Sequence, residues 1–195
     1  MYEILGVLGW IWCCVYATIP AFWLMIHSFV QFWRSSSRSP YRVLLPAWIA
    51  LWVLAGALTS PWRQVVLYRN PWMLVPAAVL FVEGMWVYVE SSKGFSWVHL
   101  SGLTEVRASQ RQQTLITSGL HKRVRHPIYL GHLCELLAWS LGTGLLVCYL
   151  LTAFAAITGT LMIHLEDREL EQRFGERYRE YRARVPAIVP RVSSS

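Results

Sequence analysis

Apolar residues in this chain gather into long runs that are separated by polar and basic segments. The first run covers about residues 4–33, the second about 43–59 and the third about 72–89. Each run is close to or above the ~20 residues that an α-helix needs to cross a bilayer. The first is long enough to tilt or bend, and Pro20 offers a place for the bend. These runs predict three transmembrane helices.

A polar stretch, residues 91–126, separates these runs from another apolar stretch, residues 127–165. At ~1.5 Å per residue this stretch is too long for one span, and Gly142 and Gly144 mark a tight turn within it. We therefore predict a helical hairpin, which brings the number of spans to five. Residues 166–184 continue as an amphipathic helix, with a break at Gly175. Its apolar stripe lies on the membrane or folds back over the helix ends; the stripe is Leu170, Phe174, Tyr178 and Tyr181.

The expected fold class is therefore an all-α integral membrane protein with about five transmembrane helices. A C-terminal helical hairpin and a cytoplasmic amphipathic tail complete it. We expect a single domain over residues 1–195. Its parts are three N-terminal spans (1–90), a cytoplasmic loop segment (91–126), the hairpin (127–165) and the cytoplasmic tail (166–195).

The composition supports a membrane protein over a soluble one. Apolar residues make up 55% of the chain and charged residues 15%, against ~25% charged in soluble domains. Too few polar residues remain to cover a soluble domain, and intrinsic disorder is excluded as the main state. The net charge of +7 indicates basic loops beside anionic lipid rather than a nucleic-acid surface. Membrane lipids are thus expected partners, and nucleic acid is not.

The basic residues predict an orientation. With five spans, sixteen Lys and Arg residues fall on one side of the membrane and two, Arg63 and Arg69, on the other. The positive-inside rule assigns the sixteen to the cytoplasm. We therefore expect the N-terminus outside and the C-terminus in the cytoplasm, in the cytoplasmic membrane of a bacterium or the endoplasmic reticulum of a eukaryote.

An antiparallel hairpin brings its two ends together, and both ends carry polar side chains. His126 and Tyr129 at one end should lie close to Glu166 at the other, with Arg125 and Asp167 beside them. Such a group could form a site, or it could be a set of ordinary interfacial anchors. The four cysteines lie in apolar runs without metal-ligand spacing, and we expect no metal site.

Two motifs in this region resemble a known family. The run 114–119 (TLITSG) followed by 125–131 (RHPIYLG) is similar to the signature of the isoprenylcysteine carboxyl methyltransferase family. That family also carries a pair of acids one hairpin later, where this chain has Glu166 and Asp167. The ending through Phe174, Gly175 and the later tyrosines and prolines is similar too. The resemblance covers roughly residues 113–190.

The resemblance implies a membrane methyltransferase that uses S-adenosylmethionine in a cytoplasmic pocket. It implies Arg125, His126, Tyr129 and Glu166 as catalytic residues. Glu166 suits the cofactor ammonium, His126 its carboxylate, and Tyr129 a hydrogen bond or a contact between its ring and the cation. The implied cofactor-binding set is Gln113, Thr114, Leu115, Ile116, His121, His126, Pro127, Tyr129 and Glu166.

The methyl acceptor remains open. The family usually has Tyr at position 121, Glu at 167 and, in its eukaryotic members, an Arg associated with the prenylcysteine carboxylate at 162, whereas this chain has His121, Asp167 and Met162. We expect transfer to O, S or N of a lipophilic small-molecule or lipidated substrate that enters from the membrane. Candidates for the acceptor site are Glu83, His132 and Glu135. Glu83 lies in the middle of a span, so it should face protein or a cavity; each of the three could instead be a packing residue.

Two other functions compete with methyl transfer. Sterol reductases are NADPH-dependent membrane enzymes with a similar C-terminal region, but they are expected to have about ten spans, which 195 residues cannot supply. A small membrane adaptor without catalysis is the other alternative. It predicts no pocket and no nucleotide-like ligand.

Overall fold

A computed structural model describes residues 2–29, 32–33, 41–93 and 114–190. The described residues are almost all helical, with an isolated antiparallel bridge between Val66 and Leu145. Short 3-10 turns cover Ser60–Trp62, Pro71–Met73 and Gly119–Lys122. The helices are α1 (Tyr2–Ala17), α2 (Ile19–Ser28), α3 (Tyr41–Thr59), α4 (Leu74–Ser92), α5 (Pro127–Thr143), α6 (Leu146–Phe174) and α7 (Glu176–Arg184).

Four helical segments in the described ranges are long and apolar enough to cross a membrane. They are Tyr2–Ser28, Tyr41–Trp62, Pro71–Ser91 and Leu146–Phe174. The all-helical membrane fold predicted from the apolar runs is thereby confirmed. The remaining predicted span, the fourth in chain order, corresponds to α5, which has 17 residues and a length of ~25 Å. The total of five spans stays a prediction.

The first span is interrupted at Thr18, between α1 and α2. Pro20 causes the interruption because it has no N–H to donate to the carbonyl four residues earlier, which belongs to Tyr16. That carbonyl is instead 2.6 Å from Nε2 of His132 on α5. Nδ1 of the same imidazole is 2.9 Å from the hydroxyl of Tyr88 on α4. His132 of α5 thus links α1, at the break predicted near Pro20, to α4.

The helices pack into one bundle around the hairpin of α5 and α6. Its main core combines α1, α5 and α6 through small and branched side chains, including Cys13, Leu136, Val147 and Cys148. Helix α4 packs closely along α5 because glycine lies at the crossing of the two helices. A Cβ atom at Gly84 would lie 3.0 Å from the carbonyl oxygen of Gly131.

The hairpin turn is fixed by Gly144, which follows the last residue of α5. Its φ of 63° lies in the left-handed region. The amide of Leu67 donates to the Gly144 carbonyl at 2.8 Å, and the amide of Leu146 donates to the Val65 carbonyl at 3.0 Å. The loop after α3 therefore closes over the turn, as the glycines in the apolar stretch predict for a helical hairpin.

Gly144→Ala should destabilise the fold by at least about 2 kcal/mol, because the new Cβ adds strain at positive φ and collides with the Tyr68 carbonyl. Gly119→Ala is a matched control, since Gly119 has a φ of 60° and no atom within 4 Å of the added Cβ. We expect it to cost about 1 kcal/mol. Denaturant titration in detergent, followed by circular dichroism, measures both. Equal losses would show that the contact with Tyr68 is unimportant.

The tail folds back over the helix ends instead of extending along a membrane surface. Helix α6 ends at Phe174, Gly175 adopts a φ of 58°, and α7 turns away from it. The predicted break at Gly175 is confirmed. The stripe side chains pack with Leu115 and Val185 in a small separate core whose buried members include Tyr178 and Tyr181. The tail is thereby attached to the residues that precede α5.

Candidate active site

The hairpin brings the RHP motif at the start of α5 against the acid pair near the end of α6. Nε2 of His126 is 2.9 Å from one oxygen of Asp167, and Nδ1 of His126 is 3.3 Å from a carboxylate oxygen of Glu166. The imidazole is 3% exposed. The closeness of His126 to Glu166 and Asp167 predicted from topology is confirmed, and the structure shows that both acids contact the same ring.

Asp167 is the centre of this group. Besides His126, its carboxylate accepts a hydrogen bond from the Arg125 guanidinium at 2.7 Å and one from the Tyr178 hydroxyl. The Arg182 guanidinium lies 3.7 Å away. The Asp167 side chain is 5% exposed and that of Arg125 8% exposed. We call Arg125, His126, Glu166, Asp167 and Tyr178 the acid–base cluster.

The segment after α7 closes the cluster through main-chain hydrogen bonds. The amides of Arg125 and His126 donate to the carbonyls of Pro186 and Ala187, each at 2.9 Å. The Arg125 guanidinium also donates to the Val185 carbonyl at 2.5 Å. These bonds satisfy donors just before α5, where an N-terminal turn leaves amides without helical partners. Arg125 therefore links α6 to the tail, because it binds Asp167 on α6 and the Val185 carbonyl after α7.

The charge of the cluster is set by its two carboxylates. Burial opposes protonation of the His126 imidazole, but Glu166 and Asp167 outweigh it and raise the pKa of His126 to about 9. Burial and the cationic His126 lower the pKa of the nearby His121. Burial and the hydrogen bond to Asp167 raise the pKa of Tyr178. His126 is thus a cation at neutral pH and cannot act there as a general base.

We expect the stability of the protein to fall as pH rises from about 6.5 to about 9. The folded pKa of His126 is raised, so its contribution is fully present below its ordinary pKa of about 6.5 and is lost as pH rises through the folded value. A shift of this size corresponds to on the order of 3 kcal/mol. Thermal unfolding midpoints between pH 6 and 10 measure it.

His126→Gln should remove this part of the pH dependence. His164→Gln should leave it unchanged, because His164 is exposed on α6 and its Nδ1 contacts only the carbonyl of Thr160 among the described groups. An unaltered pH profile in His126→Gln would contradict the assignment.

The predicted cofactor loop lies beside the cluster. Thr114 is exposed and Leu115 and Ile116 are half-buried, while Gln113 lies outside the described residues. His121 is buried, and its carbonyl accepts a hydrogen bond from the Tyr181 hydroxyl at 2.7 Å. An open cavity of about 490 Å³ lies between this loop and the tail. Its lining includes Leu115, Thr117, Lys122, Arg177, Tyr181 and Arg184.

The other predicted cofactor residues are at the start of α5. Pro127 is buried as the first residue of the helix. The Tyr129 ring meets the His126 ring edge-on, with centroids 6.1 Å apart. No hydrogen bond from its hydroxyl exists within the described part of the chain. Tyr129 thus presents an available donor next to the acid–base cluster.

Of the three acceptor-site candidates, His132 and Glu135 lie one turn apart in the buried part of α5, and Glu83 does not join them. His132 uses both ring nitrogens within the bundle, on Tyr16 and Tyr88. Glu135 is completely buried, and neither carboxylate oxygen has a hydrogen-bond partner among the described residues. Glu83, in contrast, is exposed on α4. The expectation that Glu83 faces protein or a cavity is wrong for this chain, because the phase of α4 places Gly84 at the contact with α5 and turns Glu83 outward.

The sequence places Asp167 beside the predicted site without giving it a role, and it does not predict Tyr178 as a site residue. Asp167 stands next to Glu166 in sequence, and their position at the end of the hairpin gives the same reason to assign either acid to the site. Tyr178 had been assigned only to the apolar stripe of the tail. On a continuous helix these two residues, 11 positions apart, would be separated by ~16 Å, so their spacing does not predict the contact. The turn at Gly175 makes the actual contact.

The fold and the site define a class of protein: an all-helical membrane protein with a buried acid–base cluster at one end of its hairpin. Residues 96–193, half of the chain, match the model of the ergosterol biosynthesis ERG4/ERG24 family. The chain belongs to that family, and the curated relatives that it matches include both methyltransferases and a reductase.

Three relatives illustrate this range. Protein-S-isoprenylcysteine O-methyltransferase B of Arabidopsis thaliana is 35% identical over 105 residues, 51% of this chain and 49% of the relative. Delta(14)-sterol reductase of Mus musculus is 40% identical over 98 residues, 48% of this chain and 23% of the relative. Methanethiol S-methyltransferase 2 of Bradyrhizobium diazoefficiens is 40% identical over 81 residues, 41% of this chain and 30% of the relative.

These matches confirm the resemblance to isoprenylcysteine carboxyl methyltransferases over the C-terminal half of the chain. The chain spans about half the length, or less, of the curated relatives described above. No solved structure matches it.

Proposed function

We propose that this chain is a membrane methyltransferase that uses S-adenosylmethionine and methylates O, S or N of a lipophilic acceptor. The observation that carries the proposal is the acid–base cluster, in which the tail closes the RHP motif and the acid pair into one buried unit. Relatives that are named methyltransferases, one acting on isoprenylcysteine and one on methanethiol, match 51% and 41% of this chain and support the proposal.

The groups beside the cluster fit the cofactor chemically. S-adenosylmethionine supplies a methyl group that is already activated by a sulfonium sulfur. The Glu166 side chain is 32% exposed and can pair with the cofactor ammonium. Lys122, Arg177 and Arg184 line the neighbouring cavity together with Glu180, and the excess of cations suits a carboxylate. Its volume of about 490 Å³ lies within the ~300–1,000 Å³ usual for ligand sites.

The cluster contributes positioning rather than proton abstraction. Methyl transfer to a nucleophile requires alignment of the reactants and exclusion of water more than a strong base. Arg125, Asp167 and Tyr178 hold His126 in place, and the cationic His126 in turn orients Glu166. Since both nitrogens of His126 face the acids, we assign the cofactor carboxylate to the basic side chains of the cavity. Arg125 and His126 are therefore proposed as positioning residues, and Tyr129 and Glu166 as residues that touch the cofactor.

We further propose that the acceptor reaches this site from the bilayer, in a membrane whose cytoplasmic face carries the cluster. The sixteen basic residues counted on that face support this orientation. Reporter fusions at the two termini, whose activity depends on the compartment, test it. An extracellular reporter signal from the C-terminus would contradict it.

Reduction with NADPH is the second candidate, because the family model and a sterol reductase both match this half of the chain. Thermal stabilisation of the detergent-purified protein separates the two. A ligand at ~100 times its dissociation constant adds ~2.7 kcal/mol. We expect a shift with S-adenosylhomocysteine and none with NADPH. A shift with NADPH alone would establish the reductase, and no shift with either would favour a non-catalytic adaptor.

A further inference from the structure

A second cavity lies at the end of the bundle away from the acid–base cluster. It has a volume of about 520 Å³. Its walls come from the start of α1, the loop between α3 and α4, and the turn of the hairpin. Thr143, in this wall, and Pro127, beside the cluster, are the two ends of the 17-residue α5. The two sites are therefore separated by ~25 Å along that helix, too far for this cavity to receive the transferred methyl group.

The polar lining of this cavity is positively charged. Arg63 and Arg69 line it together with Glu3 and Gln64. The Arg63 guanidinium lies over the Trp10 ring, 5.6 Å from its centroid. No carboxylate among the described residues forms an ion pair with either arginine. Two cations and one anion leave an excess of one positive charge.

The position of these arginines is unusual for a membrane protein. Arg63 and Arg69 are the two basic residues that the five-span arrangement leaves on the face opposite the other sixteen. Basic residues are disfavoured on that face, yet both line one cavity. Their convergence points to an anion that binds there.

The remaining walls are apolar and structurally fixed. Gly6, Val7, Val66 and Leu145 contribute apolar surface. Val66 and Leu145 are paired by the isolated bridge, which holds the loop against the hairpin turn. The apolar wall continues along the outer face of α1, where Ile4 is 68% and Val7 45% exposed. A ligand with an anionic head and a hydrocarbon chain matches both parts of the cavity.

We propose that this cavity binds an anionic phospholipid from the adjacent leaflet. Its phosphate contacts Arg63 and Arg69, and an acyl chain lies along α1. Charge complementarity selects an anionic lipid over a zwitterionic one, because a single net negative charge balances the excess positive charge of the lining. The proposal concerns a different end of the molecule from the acid–base cluster and does not depend on the proposed enzymatic function.

Native mass spectrometry of the detergent-purified full chain tests the proposal. The probes are dioctanoyl phosphatidylglycerol, dioctanoyl phosphatidylcholine and glycerol 3-phosphate, which lacks acyl chains. We expect the wild type to retain phosphatidylglycerol at least about tenfold more tightly than either other probe. Arg63→Gln/Arg69→Gln should weaken that binding at least about tenfold, since hydrogen bonds to charged groups are lost. Equal binding of the zwitterionic lipid, or of glycerol 3-phosphate, would overturn it.

Arg42→Gln/Arg123→Gln is the matched control. It removes the same charge from two exposed arginines at the other end of the bundle and should leave phosphatidylglycerol binding unchanged. A similar loss in the control would show general attraction to positive charge and would overturn the site. If the double variant at the cavity fails to fold, Arg63→Gln and Arg69→Gln are measured singly, each with an expected loss of about threefold or more.

Discussion

Asp167→Asn should destabilise the protein by about 3–5 kcal/mol, the largest effect that we expect from a single substitution. The carboxylate is 5% exposed and neutralises two buried cations, the guanidinium of Arg125 and the imidazolium of His126. Removing one side of a buried ion pair leaves the other charge without compensation, which costs about 3–5 kcal/mol. The Tyr178 hydroxyl would also lose its carboxylate acceptor. Denaturant titration in detergent, followed by circular dichroism, measures the free energy of unfolding.

Glu176→Gln is the control for that experiment. Glu176 is 69% exposed, and its ion pair with Arg179 lies on the surface of α7. We expect a change within about 1 kcal/mol, as is usual for an exposed pair. Asp167→Glu retains the charge and should recover part of the lost stability. If Asp167→Asn is no less stable than Glu176→Gln, Asp167 is not the centre of the cluster.

Glu166→Gln should weaken binding of S-adenosylhomocysteine by about 10- to 100-fold while the fold persists. Under the proposed function its carboxylate pairs with the cofactor ammonium, and hydrogen bonds between charged groups contribute about 1.5–3 kcal/mol. The side chain is 32% exposed, and its carboxylate lies 3.3 Å from Nδ1 of His126. Because the imidazolium that it contacts is buried, the unliganded protein should lose about 1.5–3 kcal/mol, less than in Asp167→Asn. Isothermal titration calorimetry measures the binding, and the denaturant titration measures the stability.

Glu171→Gln provides a closely matched control. Glu171 lies on the same helix with the same 32% exposure, but it contacts Arg179 and Arg182 instead of His126. Its substitution should leave cofactor binding unchanged within about twofold. Equal effects of the two substitutions would show that overall charge, rather than the position of Glu166, controls binding. Together with Asp167→Asn, the pair separates the acid that binds from the acid that supports the fold.

The adjacent acids also show where prediction from sequence reaches its limit. Apolar runs and the glycine turn suffice to predict a hairpin, and the hairpin suffices to bring His126 near the acid pair. Consecutive residues on a helix point about 100° apart, however, so one acid faces the interior more than the other. Which one does so depends on the rotation of α6 against α5 and α7. That rotation results from packing over the whole bundle and leaves no local trace in the sequence.

Glu83 and His132 illustrate the same limit for the membrane helices. A carboxylate in an apolar run suggests an interior position, but the glycine crossing of α4 and α5 sets the rotation of α4 and turns Glu83 outward. Pro20 similarly predicts a break in the first span. The group that donates to the freed carbonyl, His132, lies 116 residues from Tyr16 in sequence. The proline shows that the Tyr16 carbonyl needs a hydrogen-bond donor, but the local sequence does not show which residue donates to it.

The main-chain bonds between the RHP motif and the tail impose an order on biosynthesis. Arg125 leaves the ribosome 42 residues before Asp167 and 60 residues before Val185, whose carbonyl it binds. While α5 and α6 are being inserted into the membrane, its guanidinium and the neighbouring His126 therefore have only water to solvate them. Burial of these cations must wait until the second helix of the hairpin and the tail have been translated. Assembly of the acid–base cluster is thus a late, post-insertion event on the pathway by which this protein matures.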